Sequence, residues 1–364
     1  MNNLSVTLYS KYDQLGASSR LRMYQFLPLL EELGVSVRKK PLFGNGYLRN
    51  IYINGGRLNK ARAFGYYPRR VFDALCGRSS DITWIEGELL PYLLESLLTR
   101  SLRPYVVEYD DALFHRYDRS ANRMVREVLG SKIDQIMANA ACVIAGNNYL
   151  AAHAIRAGAA RVEVVPTVVD PSRYIVADDR FGKSLTIGWI GSPATEKYLN
   201  VVAGVLADAC KRHSARLLLI GPRQSVRHLF PGVDVEICQW VEEEEASMVA
   251  KMDVGIMPLV DTEWERGKCG YKLIQYMASG VPFIASPVGV NDEIAKHGGG
   301  LLADSQEEWR EAIDRLLDDA PLRSEMGKDG RKSVTDWYSV DVQAPRLAAI
   351  FRDVARNRDK PCAA

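Results

Sequence analysis

Short apolar runs alternate with stretches of helical period along most of the chain. Runs rich in β-branched and aromatic residues lie at 5–9, 35–38, 82–85, 105–109 and 142–145, and each reads as a buried strand. Between them, MYQFLPLLEEL and PYLLESLL space their apolar residues as a one-faced helix does. Strands alternating with helices build βα units around a parallel sheet, here over roughly residues 1–165. Residues 166–183, PTVVDPSRYIVADDRFGK, break the pattern with two prolines and several charges and read as a linker. The alternation resumes at LTIGWIG (185–191) and continues through ARLLLIG (215–221), VDVEIC (233–238), DVGIMP (253–258) and PFIAS (282–286). The expected architecture is α/β, two Rossmann-like doubly wound domains of similar size at 1–170 and 171–339, with a helical tail in 340–364 packing back onto the first. Doubly wound sheets bind ligands outside the carboxyl ends of their strands, and two facing one another would enclose a central cleft.

Composition narrows the classes. A chain of 364 residues suits two domains, and 47% hydrophobic with 25% charged residues is ordinary for a globular protein. A net charge of +2 predicts no obligate nucleic-acid partner. Six scattered cysteines (Cys76, Cys142, Cys210, Cys238, Cys269, Cys362) form no CxxC, which argues against a zinc site or disulfide framework and for a reducing cytoplasm. The amino terminus lacks the blocks of a signal peptide, and no uncharged apolar run of about 18 residues predicts a membrane span. Charge is uneven, however. Residues 38–72 hold Arg38, Lys39, Lys40, Arg49, Arg57, Lys60, Arg62, Arg69 and Arg70, no acid, with Tyr47, Tyr52, Phe64, Tyr66, Tyr67 and Phe72 interleaved. Two readings stand: a solvated basic face with its aromatics turned into a core, or a surface that meets an anionic acceptor or anionic lipid at the inner face of a membrane.

The loops after the strands hold the candidate chemistry. Gly16, Ala17, Ser18 and Ser19 precede a helix, so their N–H groups and its dipole suit a phosphate, with Arg20 and Arg22 adding charge; a tight turn or N-cap explains them as well. The loop lacks both the P-loop and the GxGxxG pattern, which disfavours a dinucleotide fold. After YVVEYDD, Asp110, Asp111 and His115 crowd one loop and could orient a sugar hydroxyl or assist its deprotonation, while Asp111 would also serve as an N-cap. Glu86 and Glu88 end another strand with the same ambiguity. In the second half, Gly191 closes a strand, a helix begins near Thr195, and Lys197 falls in its first turn, where a lysine opposes the dipole unless an anion is present. Trp240 suits either a nucleotide base or packing, and the acids at 242–245 read as a helix start.

The segment GKCGYKLIQYMASG is richest. Gly267, Lys268, Cys269 and Gly270 precede a helix expected from Tyr271 to Ala278, and together with Lys272 they make a pyrophosphate site. Gln275 lies one turn in and could reach a ribose hydroxyl. No DxD and no His/Cys cluster with ligand spacing occurs, so no metal is expected, and phosphate charge falls to lysine, arginine and backbone. There is no GxSxG.

GASSRLR, GNNYLAAHA with VVPTVVD, IGWIGSPATEKYL and KLIQYMASGVPFIASPVGVNDEI resemble the motifs of the retaining, GT-B-fold, family 4 glycosyltransferases, over nearly the whole chain. The resemblance implies a nucleotide-sugar co-substrate, a UDP-sugar ahead of a GDP-sugar, and no other cofactor. It implies a glycan or lipid-linked acceptor, with roles in bacterial surface polysaccharide synthesis. It implies front-side displacement, with Lys197 and Lys268 on the leaving diphosphate and Asp111 and His115 orienting substrate. Gly16, Ala17, Ser192, Thr195, Trp240, Gly267, Cys269, Gly270, Tyr271, Lys272 and Gln275 would face the donor, and Arg20, Glu86, Glu88 and Asp110 the acceptor. The chain departs from the family's ExxxxxxxE pattern, with Gly267 and Gln275 at the glutamate positions, so that Glu265 or backbone would take the first role. It also has Ser192 where the family carries an arginine, whose charge Lys268 would supply. A nucleotide-sugar epimerase of the same architecture and a catalytically silent scaffold are the alternatives.

Overall fold

The computed structural model describes residues 3–53, 63–77, 80–93, 95–176 and 184–357. The chain divides into two compact units, one of 1–167 with 340–364 and the other of 168–339.

In the first unit, strands β1 (Leu4–Tyr9), β2 (Val35–Lys39), β3 (Ile82–Glu86), β4 (Tyr105–Tyr109), β5 (Cys142–Ala145) and β6 (Val162–Val164) form one parallel sheet in the order β2-β1-β3-β4-β5-β6. β3, β4 and β5 are buried along their whole length, which is why their sequences are continuous apolar runs. The helix Val340–Arg356 closes the unit. It buries Leu347, Phe351 and Val354, and Phe351 meets Trp84 of β3 edge-on with ring centroids 5.1 Å apart.

In the second unit, β7 (Thr186–Ile190), β8 (Arg216–Ile220), β9 (Val235–Cys238), β10 (Val254–Met257), β11 (Phe283–Ala285) and β12 (Gly300–Leu302) form a second parallel sheet in the order β12-β11-β10-β7-β8-β9. The period of two divides its core. Leu217, Leu219, Val254, Ile256 and Ile284 enter one apolar cluster, while Leu218, Ile220, Met257, Phe283 and Ala285 enter the other. Helices cover both faces, and each unit has the α/β, doubly wound architecture that the alternation predicts. β6 and β12 are absent from the sequence-based expectation. Each is a three-residue edge strand, too short to show a period.

The helix Tyr271–Ala278 is docked by Tyr276. Its buried hydroxyl donates to Ile256 O of β10 at 3.1 Å and accepts from Ile190 N of β7 at 3.2 Å. The ring needs the glycine at 255, where a Cβ would stand 2.5 Å from it.

Candidate functional site

The strand order of the second sheet reverses between β7 and β10, so the loops leaving these strands part and open a crevice at the carboxyl edge. After β7, residues 191–195 turn tightly. Thr195 N donates to Ser192 O at 2.9 Å, and Thr195 Oγ1 accepts from Ser192 N at 3.1 Å. A 3-10 helix, Glu196–Val201, follows, with exposed Lys197 in its first turn and the Lys197 Nζ 4.9 Å from the Tyr198 ring centroid.

After β10 comes Glu265, in the short helix Glu263–Arg266. Its buried carboxylate accepts from the hydroxyls of Tyr198 and Thr262. Burial alone would raise its pKa, but the hydroxyls of Thr262 and Tyr198, with the charge of Lys197, hold it below its ordinary value. An ionised carboxylate and a lysine, contributed by the loops of the two switch-point strands, are thereby joined through Tyr198.

Gly270 precedes the helix Tyr271–Ala278 at φ +66°, and a Cβ there would stand 2.3 Å from Ile294 Cδ1. Gly267 ends the preceding helix, Gly267 and Cys269 are buried, and half-buried Lys268 donates its N–H to Glu265 O at 3.0 Å. Lys272 sits in the first turn, where the dipole repels it, with its Nζ 5.9 Å from the Trp189 ring centroid.

Gln275 is buried. Its Nε2 donates to Tyr174 Oη at 3.4 Å, that hydroxyl donates to Glu245 Oε1 at 3.2 Å, and Trp240 Nε1 donates to Glu245 Oε2 at 2.6 Å. Tyr174 and Tyr271 hydroxyls lie 3.4 Å apart. Trp240 packs against the sheet's core, one of its two expected readings, with its N–H on Glu245, and Glu245, at the helix start expected of 242–245, is also the buried centre of this network. Its helix, Glu245–Val249, is only five residues long.

Sequence reasoning missed Arg223. It follows β8, and it donates Nη1 to Pro193 O at 3.3 Å and to the Glu196 carboxylate, and its backbone N to Glu196 Oε2 at 2.7 Å, so a partly exposed guanidinium, paired with Glu196, lies against the loop where the family's arginine is replaced by Ser192. The signal was present in Gly221-Pro222-Arg223, a glycine at a strand end with a cation two residues on.

The first unit reassigns several candidates. Glu86, at the end of β3, is buried. It accepts from Lys11 N at 2.7 Å, Ser19 Oγ at 2.6 Å and Ser18 Oγ at 2.9 Å, so it fastens the small-residue loop to the sheet rather than facing an acceptor. Its burial raises its pKa against those bonds. Glu88 is held by buried Lys132 at 2.6 Å and Tyr117 Oη at 2.6 Å. Gly16 caps the helix Ala17–Arg22, whose Arg20 and Arg22 are both buried; Arg22 contacts Glu108 at 2.7 Å and Val165 O at 2.9 Å. The charge of Arg22 is committed inside the domain, because a buried guanidinium needs its carboxylate. His115 meets Asp118 at 3.0 Å and Tyr149 Oη at 2.8 Å, which are partners other than Asp110 and Asp111. Asp111 is not the N-cap expected of it, since the short helix begins at His115 with Phe114 before it. In the stretch 38–72, Phe43, Tyr47 and Tyr66 pack on one another and Arg70 is buried; Arg57, Lys60 and Arg62 lie outside the described residues.

Residues 184–319 match the family model described as glycosyl transferases group 1. A putative glycosyltransferase, YtcC, of Bacillus subtilis is 29% identical over 145 residues, which is 38% of this chain and 30% of that relative's length. Sucrose-phosphate synthase of Thermosynechococcus elongatus matches with a TM-score of 0.74 at 18% identity, covering 96% of this chain and 99% of that one. HepE of Anabaena, solved in complex with UDP-glucose, gives 0.71 at 13%, covering 96% and 100%. AviGT4, involved in avilamycin A biosynthesis, gives 0.61 at 16%, covering 97% and 98%. The chain therefore has the GT-B glycosyltransferase fold, and its second unit is similar in sequence to the group 1 glycosyl transferases.

Proposed function

We propose that the chain is a glycosyltransferase that moves a sugar from a nucleotide diphosphate, UDP in the first instance, to a hydroxyl of a glycan or lipid-linked acceptor with retention of anomeric configuration. Bacterial surface polysaccharide synthesis on the cytoplasmic side is the setting we infer. The observation that carries the reading is the group 1 match over 184–319, since within that segment Lys197, Arg223, Glu265 and Lys268 flank the loops after β7, β8 and β10. A diphosphate anion suits three cations there, and the helix beginning at Tyr271 adds its dipole.

In this reading the bond from the sugar C1 to the diphosphate oxygen breaks as the acceptor oxygen bonds to the same face of C1. The acceptor proton passes to the departing phosphate oxygen. Lys197 and Lys268 stabilise the charge that grows on that oxygen. Glu265, kept ionised by Tyr198 and Thr262, supplies the carboxylate that Gly267 cannot. Gln275, tied through Tyr174 to Glu245, replaces the family's ribose glutamate with an amide whose orientation the network sets.

The test is incubation of the full chain with a panel of UDP- and GDP-sugars and a lipid-extract acceptor pool, read by mass spectrometry for released nucleotide diphosphate and by NMR for the product anomer. Sugar transfer with retained anomer supports the reading. Epimerised donor without acceptor would assign the chain to the epimerases, and donor binding without turnover would make it a scaffold.

A further inference from the structure

The helix Tyr67–Cys76 is built the wrong way round for a helix of a soluble domain. Its inward stripe is Tyr67, Arg70 and Ala74, with Arg70 buried, donating Nη2 to Ser10 O at 2.6 Å and lying 5.1 Å from the Tyr9 ring. Its outward stripe is apolar: Phe72 is 65% exposed and Leu75 58%. The neighbouring helix Ser96–Ser101 repeats the arrangement, burying Leu98 and Thr99 while Leu97 stands 75% exposed. Phe64, 50% exposed, and Leu93 join Phe72 and Leu75 around a shallow groove of about 530 Å³ whose lining is apolar. Single exposed apolar residues are ordinary, but a contiguous group of this kind marks an interaction surface.

The charges beside it select the partner. Asp73, the acid on this helix, is engaged by Lys40 at 2.7 Å and Arg69 at 3.9 Å, and Arg69 itself is almost wholly exposed. Arg100 is exposed one turn beyond Leu97. A second copy would present the same face, whose acid, Asp73, is already engaged by Lys40 and Arg69. An anionic lipid surface instead neutralises Arg69 and Arg100 while Phe72, Leu75, Phe64 and Leu97 enter its acyl boundary.

We propose that this face of the first unit docks the chain on anionic lipid bilayers. The assignment requires no sugar transfer and stands apart from the proposed activity.

The test is flotation of the full chain with vesicles of phosphatidylcholine alone and of phosphatidylcholine with phosphatidylglycerol. We expect recovery with the anionic vesicles at low salt, weakened in 1 M salt, where the screening length falls to about 3 Å. Phe72→Ser with Leu75→Ser should bind about tenfold or more weakly. So should Arg69→Glu with Arg100→Glu, each pair checked for native circular dichroism. No recovery with anionic vesicles, or recovery unchanged in both pairs, overturns the proposal. A concentration-dependent dimer that the Phe72/Leu75 pair abolishes, seen by sedimentation without vesicle binding, would give the surface to a second copy and overturn it as well.

Discussion

At the scale of single residues, the candidate site rests on cations whose neighbours differ. Lys268 sits half-buried in the glycine loop, just ahead of the helix Tyr271–Ala278. Lys268→Ala should reduce kcat by on the order of 10²-fold in the transfer assay, the size seen when one stabiliser of transition-state charge is removed. Unchanged kcat would remove Lys268 from the reaction. Glu265 makes a separate prediction about pH. Its folded pKa is depressed, so the stabilisation it brings is present above its unfolded value and is lost as pH falls through the folded one. Glu265→Gln should therefore unfold more easily than the wild type by about 1–3 kcal/mol near neutrality, because the hydroxyls of Tyr198 and Thr262 lose an ionised partner. That gap should close in the acid range, as denaturant titrations at pH 7 and pH 3.5 would reveal. A gap independent of pH would mean the carboxylate is not ionised. The same scale holds the corrections: Glu86 and Glu88 lie at a strand end and Arg22 in the helix that follows one, as functional residues often do. Nothing in their local sequence told that each has its partner a domain's width of chain away, in Ser19, Lys132 and Glu108.

Among elements, the helix Tyr271–Ala278 shows how local sequence and tertiary fit act together. Its start and stop were legible, because glycines bracket one amphipathic stretch. Its depth was not, since Tyr276 reaches β7 and β10 only because residue 255 has no side chain. Gly270→Ala should destabilise the second unit by about 1–2 kcal/mol for the positive φ alone, with the contact at Ile294 added. Combining it with Ile294→Val should recover less than the whole loss, because only the contact is relieved. Equal stability of Gly270→Ala and the wild type would show that the loop adopts another backbone. Central strands were readable because burial on both faces makes a continuous apolar run; of the edge strands, the longer β2 and β9 were readable too, whereas VEV and GLL, three residues each, were not.

For the whole molecule, the first unit is completed by sequence from the far end of the chain. Phe351→Ala should cost about 3–5 kcal/mol, the range for a large buried aromatic, and should fall on the first unit, where Trp84 loses its partner. Hydrogen exchange followed peptide by peptide should show protection lost in β3 and β4 and kept in β7 and β10. Loss spread evenly over both units would contradict the division of the chain.

The alternation of apolar and polar residues determined by itself that the chain is α/β, where ten of its strands run, and which loops border the carboxyl ends, because these follow from periodicity and from the turn residues between runs. The glycine–lysine loop, Lys197 and the substituted glutamate positions were equally local. What only the tertiary structure decided is pairing. Arg223 reaches the loop at Pro193, Glu245 takes the indole of Trp240 and the hydroxyl that holds Gln275, and an arginine turns inward while phenylalanine and leucine face out. Spacing along a chain tells which residues share a strand or a turn of helix. Whether a charge is spent inside the protein or offered outside it depends on what the fold brings within about 3 Å, and that distance spans residues the sequence keeps far apart.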